Sequence, residues 1–271
     1  MNNRIAVLLP VYKQDNPEYF KLSLESILAQ NCQDVMVLIG VDGYVDGDLA
    51  QYLTTLEKYD DVKVIYFDQN RGLACVLNDL IAIGRQLDAD FYARMDADDI
   101  CLPDRFAKQL DYLLSYPDVD IVGGSIAEID DEGRLTGKVV GYPPTHDECR
   151  RFFRYRDPVA HPATFFRKRF FEKCHGYRPE YRKNQDTMLW YDAFRAGCVF
   201  ANVQETVLQF RVTSDFYCRR NGLKRACQML RSRMEINRGM HYDVTAYVFA
   251  VAMACMTIAP TWIKKWLYKL R

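Results

Sequence analysis

The stretch Phe91-Tyr92-Ala93-Arg94-Met95-Asp96-Ala97-Asp98-Asp99 runs from a short apolar segment into three carboxylates within four residues. Like charges this close repel, and packing gives no reason to collect them. A divalent cation bridging to phosphate would neutralise them. Carboxylate oxygens are the hard ligands that Mg²⁺ and Mn²⁺ prefer, and such sites use one or two of them together with substrate phosphates. The same triplet can also be a solvated acidic turn that opens the next helix, with Asp104 near its N-terminus. Its position favours the ligand reading. Phe91–Arg94 reads as a strand, and ligands of open α/β sheets bind beyond the carboxyl ends of strands.

Upstream, apolar runs alternate with helical spacing. Ile5–Leu9 reads as a strand ending at Pro10, Val35–Val41 as a second ending at Asp42-Gly43, and Val62–Phe67 as a third. Between them, Glu18–Gln30 carries Tyr19, Leu22, Leu24, Ile27 and Leu28 at helical spacing, and Asp48–Lys58 and Gly72–Leu87 read as helices. This β-α-β-α-β-α-β order predicts a parallel sheet with helices on both faces. Right-handed crossovers then bring the strand ends to one edge. Downstream, Pro103–Ser115 reads as a helix, and Ile121–Ile129 and Leu135–Val140 as strands around the turn Asp130-Asp131-Glu132-Gly133. His146–Arg154 and Thr187–Ala196 are expected helices, Ala163–Phe166 a strand, Val199–Val212 one or two strands, and Arg219–Arg238 a basic helix. No Pro/Gly/Ser-rich linker divides the chain.

The 271 residues are 49% hydrophobic and 27% charged, enough to bury a sizeable core and too apolar for a disordered chain. Thirty-six basic residues balance thirty-six acidic ones, which argues against a nucleic-acid partner drawn by bulk charge. Nine cysteines show no Cys-x-x-Cys pair and no zinc spacing, as expected of reduced thiols in a cytosolic compartment. The run Ile5–Val11 is too short for a secretion signal. His146, His175 and His241 have no metal-ligand spacing and read as structural or surface residues.

Polar residues fall at each strand end. Pro10-Val11-Tyr12 follows the first, Asp42 the second, Asn70-Arg71-Gly72 the third, and the aspartates the fourth. Gathered on one edge, they would offer a ring (Tyr12), an acceptor for a base N–H or ribose hydroxyl (Asp42), a cation (Arg71) and a metal site. That set suits a nucleoside diphosphate. Singly, each has a plainer reading: packing for Tyr12, a turn for Asp42, a loop cap for Asn70–Gly72. Asp186, near the start of a helix, can likewise be a cap.

With Leu9-Pro10-Val11-Tyr12, Val41-Asp42-Gly43, Asn70-Arg71-Gly72-Leu73-Ala74, Arg94–Asp99, His161-Pro162 and Gln185-Asp186…Leu189-Trp190, residues 4–213 resemble the family 2 glycosyltransferases of GT-A fold. Phe210-Arg211-Val212, followed by Arg219-Arg220 and Gly222, is similar to the bacterial branch that builds surface polysaccharide. The resemblance implies a Rossmann-like mixed sheet flanked by helices over residues 1–213, with a donor half of about 1–100 and an acceptor half of about 101–213. It implies an inverting transfer from a nucleotide sugar, with UDP the expected nucleotide, to an alcohol of a glycan or lipid-linked glycan. Asp98 would contact Mn²⁺ or Mg²⁺, and Asp96 the ribose or a metal-bound water. Pro10, Tyr12, Asp42 and Arg71 would bind the donor. Asp186 would be the general base, with Gln185 and Trp190 beside it, and His161 and Arg211 would line the diphosphate or acceptor side. Gln185 stands where many relatives have glutamate, and Asp192 where many have arginine.

The chemistry accounts for these residue types. The departing nucleoside diphosphate gains charge that a metal ion can stabilise, and the attacking alcohol must lose a proton to a nearby carboxylate. A phosphatase using paired aspartates would carry them after the first strand, and a nucleotidyltransferase would need a Gly-rich first loop that Pro10-Val11-Tyr12-Lys13 lacks. The alternative reading is a membrane-peripheral nucleotide-binding or scaffold protein without transferase activity.

Residues 214–271 differ in kind, with a basic helix followed by an apolar and amphipathic tail. Val244–Ala259 is nearly uncharged, and after Pro260 the residues Trp262, Ile263, Trp266, Leu267 and Leu270 mix with Lys264, Lys265, Lys269 and Arg271. The apolar run is shorter than the ~20 residues of a span. Aromatics among lysines favour the headgroup layer, so residues 244–271 are expected to touch the membrane surface, placing the protein at the cytoplasmic face. Packing of this helix on the domain or on another subunit is the competing expectation.

Overall fold

Residues 3–213 and 222–259 are described in the computed structural model. Strand β1 (Ile5–Val11) lies between β2 (Val35–Asp42) and β4 (Phe91–Arg94), with β3 (Val62–Phe67) outside β2, all parallel. The helices α1 (Pro17–Leu28), α2 (Gly47–Thr55) and α3 (Leu73–Gln86) are the crossovers. From β4 the sheet continues through β8 (Phe165–Arg167), β6 (Ile121–Ile129), β9 (Phe200–Arg211) and the two-residue β5 (Ile100–Cys101), while β7 (Leu135–Val140) hangs on β6. β8 is antiparallel to β4 and β6, so a parallel half and a mixed half share one sheet.

The helices cover both faces because their apolar stripes face opposite ways. Phe20, Leu24 and Ile27 of α1, Leu49 and Leu53 of α2, and Phe106, Leu110 and Leu113 of α4 (Arg105–Ser115) form one core with Val7, Leu9, Val37 and Ile39. Val76, Leu77 and Leu80 of α3 pack the opposite face with Leu8 and Leu38. They share it with Phe153 of α5 (His146–Phe153), Phe170 of α6 (Lys168–Cys174) and Trp190 of α7 (Gln185–Arg195). Alternation along each strand sends neighbours to the two cores.

Several boundaries differ from those expected. β1 runs through Pro10, paired with Gly40, to Val11. Pairing with β4 stops at Leu8–Arg94, so the missing N–H of Pro10 falls where β4 has already diverged, and no ladder bond is lost. α1 begins one residue early, at Pro17, because Asn16 Oδ1 accepts from the amides of Glu18 (2.9 Å) and Tyr19 (3.3 Å). β5 and α6 were not anticipated: two residues show no alternation, and seven are too few to declare a helical period. β9 is one strand with a register shift against β6 between Gly124 and Ile126.

Helix α8 (Leu223–Gly239) and helix α9 (Val244–Ile258) form a hairpin. Ala246, Ala250 and Ala254, four residues apart, are buried on one face of α9, whereas Val244, Val248, Val251 and Ile258 are exposed. Asp243 caps α9 and pairs with Arg154 at 2.7 Å. No helix among the described residues is long and apolar enough to cross a membrane. Arg219, Arg220 and the Trp262–Arg271 segment lie outside the described residues.

Candidate active site

β4 ends at Arg94, and the chain turns away into Asp96–Asp99 before β5. One carboxylate oxygen each from Asp96, Asp98 and Asp99 lies within 4.8 Å of the others. Two buried guanidiniums hold this turn from below. Arg94 is fully buried, pairs with the Asp96 carboxylate and donates to the Met95 carbonyl. Arg211, at the end of β9, donates its amide to Asp99 Oδ1 (2.9 Å) and Nε to the Asp98 carbonyl (2.9 Å). Its Nη1 reaches the Asp130 carbonyl at 2.9 Å, and its guanidinium lies 4.0 Å over the Tyr19 ring. Only 2% exposed, Arg211 braces the aspartate turn rather than presenting its charge on open surface.

Asp99 is wholly buried and its Oδ2 has no partner. Burial, then the charges of Asp98 and Asp96, push its carboxyl well above the usual carboxylate range. Asp15, just past β1, faces the same charges. Burial pushes it up to about 7 against the opposing Tyr12 amide, with Asp98 and Asp96 adding to the rise. An orphaned carboxylate oxygen inside a crowded all-oxygen donor set fits a hard divalent cation such as Mg²⁺ or Mn²⁺.

The residues expected to bind the donor lie at the ends of β1, β2 and β3. Pro10 is partly buried in β1, and Tyr12 donates its amide to Asp15 Oδ2 (2.9 Å) and its hydroxyl to Gln14 (3.3 Å). Asp42, 7% exposed, accepts from the amides of Arg71 (2.7 Å) and Gly72 (2.9 Å), one on each carboxylate oxygen. It thereby fastens the start of α3 to the end of β2. Gly43 is required here: its φ is +84°, and a Cβ would stand 2.7 Å from the Asn70 amide nitrogen. The Arg71 guanidinium pairs with Asp79 and lies 4.6 Å over the Phe67 ring. It borders a hollow of about 590 Å³ outside β3 that Tyr66 and Gln69 also line.

Among the residues expected to serve the acceptor, Asp186 lies in the first turn of α7, which starts at Gln185, two residues earlier than its spacing suggests. Asp186 Oδ1 accepts from the Thr187 amide at 2.8 Å, and the carboxylate is partly exposed. Gln185 Oε1 and Trp190 Nε1 are buried with no partner. Trp190 is fully buried against Phe166, Phe170, Phe200 and His161, so it supports the helix from the core and offers no open face. Asp192 is neutralised by Arg178, whose two nitrogens reach it at 2.7 and 2.6 Å.

His161 Nε2 meets the Tyr177 hydroxyl at 2.7 Å, both side chains buried. Burial, then the Arg94 charge, holds the imidazole well below its ordinary pKa, so it is neutral. The Tyr177 phenol is pushed far up by burial, against Arg94, with Asp186 and Asp96 both adding. Tyr177 is itself pinned to α3, with Asn78 Oδ1 accepting its amide (2.8 Å) and Asn78 Nδ2 donating to its carbonyl (2.8 Å). Asp15, Arg94 and Tyr177 were not singled out from the sequence. An arginine ending an otherwise apolar strand was a readable signal for Arg94, and an aspartate just past a strand end for Asp15. Tyr177 had none, because its place depends on a loop docking against α3.

Residues 6–176 match the family described as Glycosyl transferase family 2. The chain belongs to that family. Among curated proteins, it is 32% identical over 226 residues to an uncharacterized glycosyltransferase of Haemophilus influenzae, covering 82% of this chain and 81% of that one. It is 27% identical to the amylovoran biosynthesis glycosyltransferase AmsE of Erwinia amylovora, with 97% of each chain covered. It is 25% identical to the Escherichia coli UDP-Gal:alpha-D-GlcNAc-diphosphoundecaprenol beta-1,3-galactosyltransferase, covering 98% of this chain and 95% of that one. These likenesses make it a glycosyltransferase of the surface-polysaccharide type. Among solved structures, the mannosyltransferase PcManGT of Pyrobaculum calidifontis, in complex with GDP-Man and Mn²⁺, superposes with a TM-score of 0.66 at 16% identity, covering 94% of this chain and 73% of that one. Residues 1–349 of TarS from S. aureus, in complex with UDP-GlcNAc, give 0.60 at 14% identity, covering 94% and 82%. The full TarS chain is matched over 41% of its length. At these identities the structures establish the fold, which is GT-A.

Proposed function

We propose that this glycosyltransferase is an inverting, metal-dependent enzyme that moves a sugar from a UDP-sugar to a hydroxyl of a lipid-linked glycan. The observation that carries the reading is the aspartate turn beyond β4, where one carboxylate oxygen each of Asp96, Asp98 and Asp99 lies within 4.8 Å of the others. Asp98, with Asp96 and Asp99 beside it, would hold Mg²⁺ or Mn²⁺, which when bound stabilises the charge gathering on the departing diphosphate. Asp42, Pro10, Tyr12 and Arg71 form the donor side. Asp186 takes the proton of the attacking hydroxyl, since a partly exposed carboxylate at a helix start is accessible to an incoming alcohol. Gln185 and Trp190 set the position of Asp186, His161 orients Tyr177, and Arg211 shapes the metal turn. Direct displacement by the hydroxyl needs no protein nucleophile and inverts the anomeric centre.

Residues 1–213 form the transferase domain, and 214–271 an accessory segment that rests on the cytoplasmic face of the membrane. Support for the second part comes from α9. Its 15 residues span about 22 Å at about 1.5 Å each, less than the hydrocarbon thickness of about 30 Å. Its outward face carries Val244 (75% exposed), Val248 (64%) and Ile258 (52%).

The test is a panel of nucleotide sugars with Mn²⁺, read by thermal shift and by release of nucleotide. A UDP-sugar raises the melting temperature of the wild type, and Asp98→Ala loses both the metal-dependent part of the shift and turnover. Neither binding nor turnover with any nucleotide sugar would leave the scaffold reading in place.

A further inference from the structure

The Asn70–Gly72 loop lies at the end of β3, where it opens α3. Arg71, the cation expected there, is paired with Asp79 and laid over Phe67. A different guanidinium stands over the same loop. Arg182 comes from the acceptor half, in the segment between α6 and α7, and its Nη1 lies 3.4 Å from Asn70 Oδ1 across 112 residues of sequence. Its Cγ, Cδ and Cζ all pass 3.9 Å from where a Cβ on Gly72 would sit, the closest atoms to that open position. Arg182 is exposed and forms no ion pair among the described residues.

The backbone around Arg182 is held on both sides. Upstream, Gly176 has φ +90° and packs on Asn78, where a Cβ would meet Oδ1 at 2.6 Å, and Asn78 clamps the Tyr177 backbone. Arg178 bridges Asp192 and Glu235, and the Tyr181 hydroxyl donates to Glu235 at 2.8 Å. Downstream, Asn184 at φ +59° opens α7, and Thr187 bonds Asp157 at 2.9 Å. A long cation is thus carried on an anchored loop to a segment that Asp42 fixes, with only a long hydrogen bond to occupy it. An uncompensated guanidinium has its full charge and fork available to an anionic ligand.

We infer that Arg182 is a nucleotide-binding residue contributed by the acceptor half, contacting the diphosphate of the donor across the Asn70–Gly72 loop. Four residues before Asp186, it also ties donor binding to the loop that leads into the base. The inference rests on the nucleotide-sugar reading given above, and deepens it by naming a cation that the acceptor half brings to the Asn70–Gly72 loop.

The experiment is titration calorimetry of the full chain with UDP, GDP and uridine in the presence of Mn²⁺, for wild type, Arg182→Ala, Arg182→Lys and Lys58→Ala. Lys58 lies over the Tyr59 ring in the turn after α2 and serves as a surface control. Arg182→Ala weakens UDP binding about tenfold or more, Arg182→Lys recovers part of it, and uridine affinity changes less than about twofold, as expected for one charge-assisted contact to phosphate. Lys58→Ala binds UDP like the wild type. Wild-type UDP binding with Arg182→Ala within about twofold of it would overturn the role of Arg182 and leave the transferase reading intact. Equal weakening of UDP and uridine would overturn the diphosphate contact. A wild type that binds neither UDP nor GDP would overturn the nucleotide-sugar reading, and the inference with it.

Discussion

Asp15 and Asp99 make the aspartate turn sensitive to pH. The folded-state pKa of Asp15, about 7, lies above its ordinary value of 3.8. The folded chain therefore holds that proton more tightly than the unfolded chain. Stability from this group is present at low pH and is lost as pH rises from 3.8 to about 7. Asp99 shifts in the same direction. A divalent cation held by this turn, as proposed, would compete with these protons, so Mn²⁺ is expected to stabilise the protein more above pH 7 than below it. Thermal melts with and without MnCl₂ at about pH 8 and about pH 5.5 should show the larger shift at the higher pH. At this scale, the sequence pointed to residues whose placement follows from a strand end: Asp42, Asp96 and Asp98. It could not point to Tyr177 or Arg182, whose positions follow from a loop folding back over α3 through Asn78 and Asn70. It placed Trp190 beside Asp186, and the ring there is enclosed by Phe166, Phe170 and Phe200.

Elements with a strong period were legible. β2, β3, β4, β6 and β7 fall at or within a residue of their expected bounds, because apolar and β-branched runs bracketed by Gly, Asp and Asn turns leave little choice. Short or capped elements were not. The two residues of β5 become a strand only because β9 is there to pair with, and α1 starts where Asn16 caps it rather than where its apolar period begins. The α8–α9 hairpin gives a direct test of element packing. Ala250 is 2% exposed in the small-residue face that α9 lays on α8. Ala250→Leu should cost about 1–3 kcal/mol by overpacking that seam. Hydrogen exchange should quicken in α8 and α9 while the central strands keep their protection.

For the whole molecule, one sheet joins a parallel half, whose strand ends carry Tyr12, Asp42 and the aspartate turn, to a mixed half that carries Asp186. Two kinds of contact tie the parallel half to the mixed half: Arg211 grips the aspartate turn, and Asn78 clamps Tyr177, whose hydroxyl His161 holds within the mixed half. The α8–α9 hairpin is fixed to the mixed half through Arg154–Asp243 and Arg233–Asp157, which fixes the direction in which the exposed face of α9 points. The full chain should cosediment with vesicles containing phosphatidylglycerol, and Val248→Glu together with Val251→Glu should reduce that binding about tenfold or more, since each places a charge in the face proposed to meet lipid. Unchanged cosedimentation would assign the face to another subunit or to the domain itself.

The division of labour between the halves is tested most directly by setting transfer against donor binding in a single variant, Asp186→Asn. With Mn²⁺ and a UDP-sugar that the wild type turns over, the variant should lose transfer by about a hundredfold or more, the scale of a general base, and bind UDP within about twofold of the wild type. Loss of UDP binding in parallel with transfer, or transfer that survives the substitution, would contradict the assignment of Asp186 as the base.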